Sequence, residues 1–275
     1  GFLASVKHHS YQPKHSEPDE QFSNLASSIL QKAGNKTGYG MIYKAGNSEL
    51  IKSLTDSSSM HFLVVESDSA KVEMLRRRLD NSGIYGKRVA VIEEDESSSY
   101  FLPYIYNLII LNGDEPAEDI RKAFGSLRPY GGTACFAGID PGFEDKVSQL
   151  SLENGILERE NDFAFLKRKG SLPGSGQWTH QYSGSSNRTY SDDTLVKPPL
   201  GILWFGGPSN RNVLPRHHNG PIPQVVGGRV FLLGVETISA RCAYTGRELW
   251  VKEIPGIGHP FTDLELEEKF RAGNE

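Results

Sequence analysis

Residues 155–168 read GILERENDFAFLKR, and this stretch decides the fold. It contains two runs with the composition of short strands, residues 155–159 and 163–168, separated by Glu160, Asn161 and Asp162. Polar residues between two strand-like runs are typical of a β-hairpin. We therefore expect an antiparallel hairpin to close the sheet that the preceding residues form.

The residues before this hairpin alternate between helical and extended patterns. From Phe22 to Ala33 apolar residues follow the helical i, i+3, i+4, i+7 spacing, and Gly34 stands where a C-cap is expected. Further helical faces run through 50–54, 72–79 and 117–127, the second capped by Ser67 or Asp68. Five apolar runs predict strands at 41–43, 61–66, 88–92, 106–111 and 133–137.

Strands that are apolar along their whole length and alternate with helices indicate a parallel sheet covered on both faces. We therefore predict an α/β fold, with a doubly wound, mostly parallel, seven-stranded Rossmann-like sheet over about residues 38–168. The strand at 163–168 is expected to run antiparallel to the others.

The composition changes after Gly170, and this change predicts a second domain. Residues 171–228 are rich in Gly, Ser, Pro and Asn, and short strands are predicted at 201–205, 225–226 and 229–233. The acidic stretch 261–271 has a helical pattern. The predicted organisation is a linker or arm (1–19), a Rossmann-like domain (20–170) and a short all-β segment (171–275).

Composition excludes several classes of function. The chain has 275 residues and a net charge of −4, which gives no electrostatic reason to expect a nucleic-acid partner. No apolar run approaches the roughly 20 residues of a membrane span. Cys135 and Cys242 lie in different predicted domains, so a disulfide is not expected, and Cys135 is predicted to be a buried, inert thiol.

Histidines suggest no metal site. His8, His9 and His15 lie in a polar arm that supplies no rigid geometry. The adjacent side chains of His217 and His218 point apart in an extended loop, so one metal rarely takes both. No metal is therefore predicted.

The order of the elements, the acidic Glu66 at the end of the second strand and the closing hairpin resemble class I S-adenosylmethionine-dependent methyltransferases. The resemblance implies S-adenosylmethionine as cofactor, with Gly46 in the loop after the first strand and Glu66 binding the ribose hydroxyls. It places Asp95 at the adenine and Asn112 where family members have substrate-facing or catalytic residues. No residue identifies a methyl acceptor or a catalytic group.

The loop after the first strand departs from the family pattern. Residues 44–48 read KAGNS, so Gly46 stands alone where the family usually has two or three glycines. Side chains at Lys44 and Ser48 would occupy space that glycine leaves open, and a positive φ is costly there. Lys44 would repel the cofactor's sulfonium if it turned inward, but not if it pointed to solvent or paired with the cofactor's carboxylate. Tight cofactor binding is therefore not expected.

The second half resembles a pyrroloquinoline-quinone-type β-propeller. Residues 223–231 (PQVVGGRVF) and 240–250 (ARCAYTGRELW) match its repeat, with Cys242 where the family usually has aspartate. Residues 177–182 and 203–205 resemble the preceding repeat. About 100 residues supply one or two blades of roughly 40–50 residues, so we expect a segment of a longer protein. The resemblance implies that the rest of the propeller, in the same or an associated chain, is a partner, and that the protein lies outside the cytoplasm.

Three functions follow from these patterns. The first is a methyltransferase-like module with a degenerate cofactor loop that serves as a ligand-binding or structural part of a propeller protein. The second is an active S-adenosylmethionine-dependent methyltransferase. The third is a fragment of a quinoprotein oxidoreductase. The loop at 44–48 favours the first, with a small molecule as its ligand.

Overall fold

A computed structural model describes residues 19–44, 46–94, 100–208, 212–214 and 220–261. The chain divides into two compact units. The first comprises Gly1–Leu127 with Gly131–Arg168, and the second comprises Arg128–Tyr130 with Lys169–Glu275. The predicted acidic helix at 261–271 lies outside the described residues except for Phe261, as do His217 and His218.

The described part of the first unit contains five α-helices and seven strands. The helices are α1 (Glu20–Ala33), α2 (Ser48–Asp56), α3 (Ser69–Asn81), α4 (Ala117–Ser126) and α5 (Phe143–Gln149). The strands are β1 (Thr37–Tyr43), β2 (Ser59–Glu66), β3 (Val89–Glu93), β4 (Tyr106–Asn112), β5 (Gly132–Ala137), β6 (Gly155–Glu160) and β7 (Phe163–Arg168).

These strands form one mixed sheet in the order β3-β2-β1-β4-β5-β7-β6. Neighbours are parallel except at β7, which runs antiparallel to both β5 and β6. The predicted Rossmann-like, mostly parallel, seven-stranded sheet is therefore confirmed, including its antiparallel strand at 163–168. The chain order reverses between β1 and β4, which is where ligands of such sheets bind, at the carboxyl ends of the strands.

Local capping explains where the first helices begin and end. Asp19 accepts a hydrogen bond from the backbone N–H of Gln21 at the start of α1, and Gly34 ends it with a φ of 68°. Asp68 caps α3 through the N–H groups of Ala70 and Lys71. The short helix α5 was not predicted, because it has no side-chain N-cap and spans only two turns.

The sheet separates two apolar layers. On one face, side chains of β1, β2 and β4 pack against α1, α2 and α3, among them Ile42, Val64, Leu108, Leu54 and Leu75. On the other face, β1, β4 and β5 pack against α4 and α5, among them Met41, Ile109, Phe136, Ile120 and Phe143. This double burial explains why the strands are apolar along their whole length.

The described part of the second unit contains one antiparallel sheet. Its strands are β8 (Gln224–Val226), β9 (Arg229–Leu233), β10 (Thr237–Cys242) and β11 (Glu248–Glu253), in the order β11-β10-β9-β8. No closed propeller is formed by the residues that are described in this unit.

The predicted strand at 201–205 is wrong. This segment pairs with no strand, and the side chains of Ile202 and Phe205 are 84% and 96% exposed. Pro198 and Pro199 just before it supply no backbone N–H for a ladder. Strand β10 was missed, because its sequence TISARC alternates polar and small residues instead of presenting an apolar run.

Candidate functional site

The candidate site lies where β1, β2, β3 and β4 end at the carboxyl edge of the first sheet. Lys44 follows β1, Glu66 ends β2, Glu94 follows β3 and Asn112 ends β4. Backbone pairing continues past the strand ends, since the N–H of Lys44 donates to the Val65 carbonyl at 2.9 Å and that of Glu94 to the Glu66 carbonyl at 2.8 Å. The edge is therefore rigidly built.

Lys44 turns its side chain toward the third strand. Its φ is 52°, in the left-handed region that favours glycine. Its Nζ lies 3.1 Å from Oε2 of Glu94 and 4.7 Å from the centre of the Tyr43 ring. Burial alone would lower the pKa of Lys44, but hydrogen bonds with Tyr43 and Glu94 outweigh that effect and raise it. The ammonium is therefore held charged at this edge.

Tyr43 and Glu94 complete the cluster. The Tyr43 hydroxyl donates to Oε1 of Glu94, so both oxygens of this carboxylate are engaged. Burial, then the bond to Glu94, raises the pKa of Tyr43 to about 12. The Tyr43 ring also packs on Phe101, with ring centres 5.0 Å apart. Phenol, ammonium and carboxylate thus satisfy one another.

Glu66 is turned toward its own backbone. It is buried, and its Oε1 accepts hydrogen bonds from the N–H groups of Ser67 and Asp68 at 3.0 and 3.3 Å. Its Oε2 lies 3.8 Å from Nζ of Lys71. These contacts complete the start of α3, where the helix dipole favours a carboxylate.

Gly46 faces the apolar layer beneath the sheet. A Cβ at this position would lie 3.2 Å from Cδ1 of Leu75 and 3.5 Å from Cγ1 of Val64. The glycine therefore allows the loop to pack closely on the core. Asn112, by contrast, donates from Nδ2 to the Lys44 carbonyl at 3.3 Å, which fixes the loop after β1 against the end of β4.

Glu115 lies beyond β4, beside α4. Its side chain is buried, and burial raises the pKa of its carboxyl group, an effect that the nearby Lys44 partly offsets. It forms no ion pair within the part of the chain that the structure describes. The charge of Lys44 therefore influences the protonation of this buried carboxyl group.

Of the four predicted site residues, Asn112 donates to the Lys44 carbonyl. Glu66 accepts from the backbone at the start of α3, and Gly46 lies against the apolar core. Asp95 lies outside the described residues. Sequence reasoning missed the roles of Tyr43, Glu94 and Glu115. Their positions at or just after strand ends were the available signal, because every carboxyl end of a parallel strand meets this edge.

A cavity of about 230 Å³ lies elsewhere, over the amino-terminal halves of β1, β2 and β4. It is lined by Tyr39, Gly40, His61, Phe62, Leu63, Ile105 and Tyr106. Its walls are almost entirely apolar and include none of the carboxyl-edge groups.

In the second unit, the thiol of Cys242 is a hydrogen-bond acceptor. It is buried, and Nε of Arg128, which belongs to the same unit, donates to its Sγ at 3.1 Å. Burial alone would raise the pKa of Cys242, but the hydrogen bonds from Arg128 and Thr245 lower it. Trp204 packs on Gly246 of the turn and donates to the Ala243 carbonyl at 2.9 Å.

Among the described helices, none is both long and apolar enough to cross a membrane. No cluster of three or more His, Cys, Asp or Glu side chains suited to a metal ion occurs in the described ranges.

No protein-family profile matches the sequence, and no curated protein matches it significantly. Among solved structures, one similar protein is assigned as an S-adenosyl-L-methionine-dependent methyltransferase of Methanococcus maripaludis, with a TM-score of 0.47, 12% identity and coverage of 55% of this chain and 85% of that one. A tRNA (m1A58) methyltransferase of Aquifex aeolicus has a TM-score of 0.43 and 16% identity, and the match covers 58% of this chain and 73% of that one. An S-adenosylmethionine-dependent O-methyltransferase of Thermotoga maritima has a TM-score of 0.43 and 13% identity, and the match covers 54% of this chain and 66% of that one. Because these TM-scores and identities are low, the fold is assigned from the strand order of the sheet.

Proposed function

We propose that the first unit is a methyltransferase-like Rossmann module that serves as a ligand-binding or structural part of a larger protein and carries out no methyl transfer. One observation carries this proposal: Lys44 follows β1 where the related family has glycine, and its ammonium is paired with Glu94.

The residues that the structure describes at this edge do not fit S-adenosylmethionine. Lys44 carries a Cβ and a long side chain in the left-handed conformation, where glycine would leave the backbone bare. Both oxygens of Glu94 are occupied by Tyr43 and Lys44, and Oε1 of Glu66 accepts from two backbone amides. A cofactor would have to break these contacts before forming its own, and that cost lowers its affinity.

Isothermal titration of the folded chain with S-adenosylmethionine and S-adenosylhomocysteine tests the proposal. We expect no dissociation constant at or below about 10 μM, the affinity of a working cofactor site at roughly −7 kcal/mol. A tighter value for either compound would restore the second candidate, an active methyltransferase. That candidate is favoured by the acidic Glu66 at the end of β2 in a Rossmann-like sheet.

For the second unit, we propose that its partner is the remainder of a propeller, in the same or an associated chain, and that the protein acts outside the cytoplasm. The support is the sequential antiparallel order β8 to β11, which is the arrangement of one propeller blade. A quinoprotein oxidoreductase would need a closed propeller, and the described residues of the second unit form a single four-stranded sheet.

A further inference from the structure

We propose that the carboxyl edge of the first sheet contains a pocket for a compact organic cation, formed by Glu94 and Tyr43, and that Lys44 fills it as a tethered ligand. The inference rests on the proposed function, because it states what kind of ligand the edge would take once the Lys44 side chain no longer fills it. The ligand class is a primary alkylammonium ion.

The first argument is the chemistry of the groups around Nζ of Lys44. A carboxylate oxygen lies 3.1 Å away and an aromatic face 4.7 Å away. A carboxylate and an electron-rich ring are the two groups that together bind ammonium ions in proteins. The Tyr43 hydroxyl holds the other oxygen of Glu94, so the carboxylate is fixed in position for the cation.

The second argument is the buried Glu115. Its side chain is more than nine-tenths buried, and Lys44 is the nearby cation that favours its charged form. Lys44 therefore pairs directly with Glu94 and acts on Glu115 only through the electrostatic field. Removing that ammonium leaves Glu94 without its paired cation and removes the charge that favours ionised Glu115, and both changes favour replacement by a cation from solution.

The third argument is the backbone of Lys44. Its left-handed φ directs the side chain across the edge from β1 to the end of β3, and two backbone-directed hydrogen bonds hold the residue there. The main chain at this position is thus fixed independently of the side chain. Shortening the side chain should open the pocket without moving its walls.

The experiment uses the full chain with Lys44→Ala, which removes a propylammonium-sized group. Thermal unfolding is followed by far-ultraviolet circular dichroism, because all described α-helices belong to the first unit. With n-propylammonium chloride at about ten times its dissociation constant, we expect the midpoint of Lys44→Ala to rise by about 3 °C or more, and to keep rising with the logarithm of the concentration. Sodium chloride at the same ionic strength and n-propanol serve as controls for salt and for apolar binding.

Matched variants separate a specific pocket from a general effect. For the wild type and for Lys44→Met, which fills the volume without charge, the midpoint should rise no more than it does in the sodium chloride control. Adding Glu94→Gln to Lys44→Ala should remove the response. Lys44→Gly, which suits the positive φ, replaces the alanine variant if that one does not fold.

The inference is overturned if n-propylammonium chloride raises the unfolding midpoint of Lys44→Ala no more than sodium chloride does. It is overturned too if the midpoints of Lys44→Met and the wild type rise as much as that of Lys44→Ala. It is also overturned if Glu94→Gln leaves the response intact. Tight binding of S-adenosylmethionine by the wild type would instead contradict the proposed function. The two failures are distinguishable, because they involve different ligands and different variants.

Discussion

The two units differ in how completely each buries its own apolar side chains. In the first, Phe136 and Phe143 have no exposed surface, and apolar layers cover both faces of the sheet. In the second, Ala240 and Cys242 are buried, but Ile202 and Phe205 are almost fully exposed. The first unit therefore encloses a core of its own, whereas the second leaves apolar surface of the kind that usually marks an interaction site. This difference is the reason for testing the partner that we propose for the second unit.

The largest expected effect tests this contrast in core packing. Phe136→Ala should lower the unfolding free energy of the first unit by about 3–5 kcal/mol, because a fully buried aromatic leaves a cavity. Phe231→Ala in β9 should cost the second unit less than half of that, because Phe231 is only partly buried. Each variant is expected to affect its own unit.

The chain supplies a separate optical probe for each unit. Circular dichroism of α1 to α5 reports on the first unit, and the fluorescence of Trp178, Trp204 and Trp250 reports on the second. Denaturant titrations followed by both signals would measure both variants. An equal or larger loss for Phe231→Ala would break the comparison.

The sheet could be predicted from sequence because its rules are local. The apolar strands, the caps Asp68 and Gly34 and the hairpin at 155–168 each act over a few residues, and together they select one architecture. In the second unit the same rules failed at 201–205 and at β10. There, pairing depends on neighbours distant in sequence, and alternating small and polar residues give no strong signal.

The candidate site was predicted less completely than the fold. Strand ends could be located, so the edge was identified, but the direction of each side chain could not. The contacts of Glu66 with its own backbone and of Lys44 with Glu94 depend on competition between nearby partners. Gly46 looked like a ligand-facing glycine, whereas its contacts are with Leu75 and Val64.

The next largest effect on stability is expected at Gly113, the glycine of the first unit that lies closest to a neighbouring backbone. A Cβ at Gly113 would lie 2.6 Å from Cα of Ile139 and 2.7 Å from the carbonyl oxygen of Gly138, and backbone atoms cannot move aside cheaply. Gly113→Ala should therefore destabilise the first unit by about 1–3 kcal/mol. Gly125→Ala in α4 is the matched control, since no atom lies within 4 Å of its Cβ. It should stabilise by about 0.5–1 kcal/mol. Loss of stability in both variants, measured by circular dichroism, would contradict this account.

A smaller effect is expected on the rate at which a thiol reagent labels the buried cysteine of each unit, because this rate depends on how often the unit opens. Cys135 and Cys242 are both buried, one in each unit, and burial raises the pKa of Cys135 to about 12. Labelling by a thiol reagent therefore requires opening. We expect Cys242, measured in Cys135→Ala, to react at least about tenfold faster than Cys135, measured in Cys242→Ala, which corresponds to 1.4 kcal/mol in opening free energy. Equal rates would mean that the two units are equally stable, despite their different burial.

The smallest expected effect concerns the polar edge of the first unit and depends on pH. Burial raises the pKa of Glu115, so the folded state binds the proton more tightly than the unfolded state does. The stability that protonated Glu115 contributes is therefore present below the pKa of the unfolded state and is lost as pH rises through the folded-state pKa. Glu115→Gln keeps a neutral group at every pH. It should match the wild type in acid and be more stable at neutral pH.

The wild-type Lys44 ammonium lessens this difference, because it favours the charged form of Glu115. In a Lys44→Met background the advantage of glutamine at neutral pH should grow, whereas exposed Glu153→Gln controls for the substitution itself. Denaturant unfolding followed by circular dichroism at acid and neutral pH measures all five proteins. If the advantage of glutamine is the same with methionine as with lysine, Lys44 does not act on Glu115, and the carboxyl edge is not a single electrostatic unit.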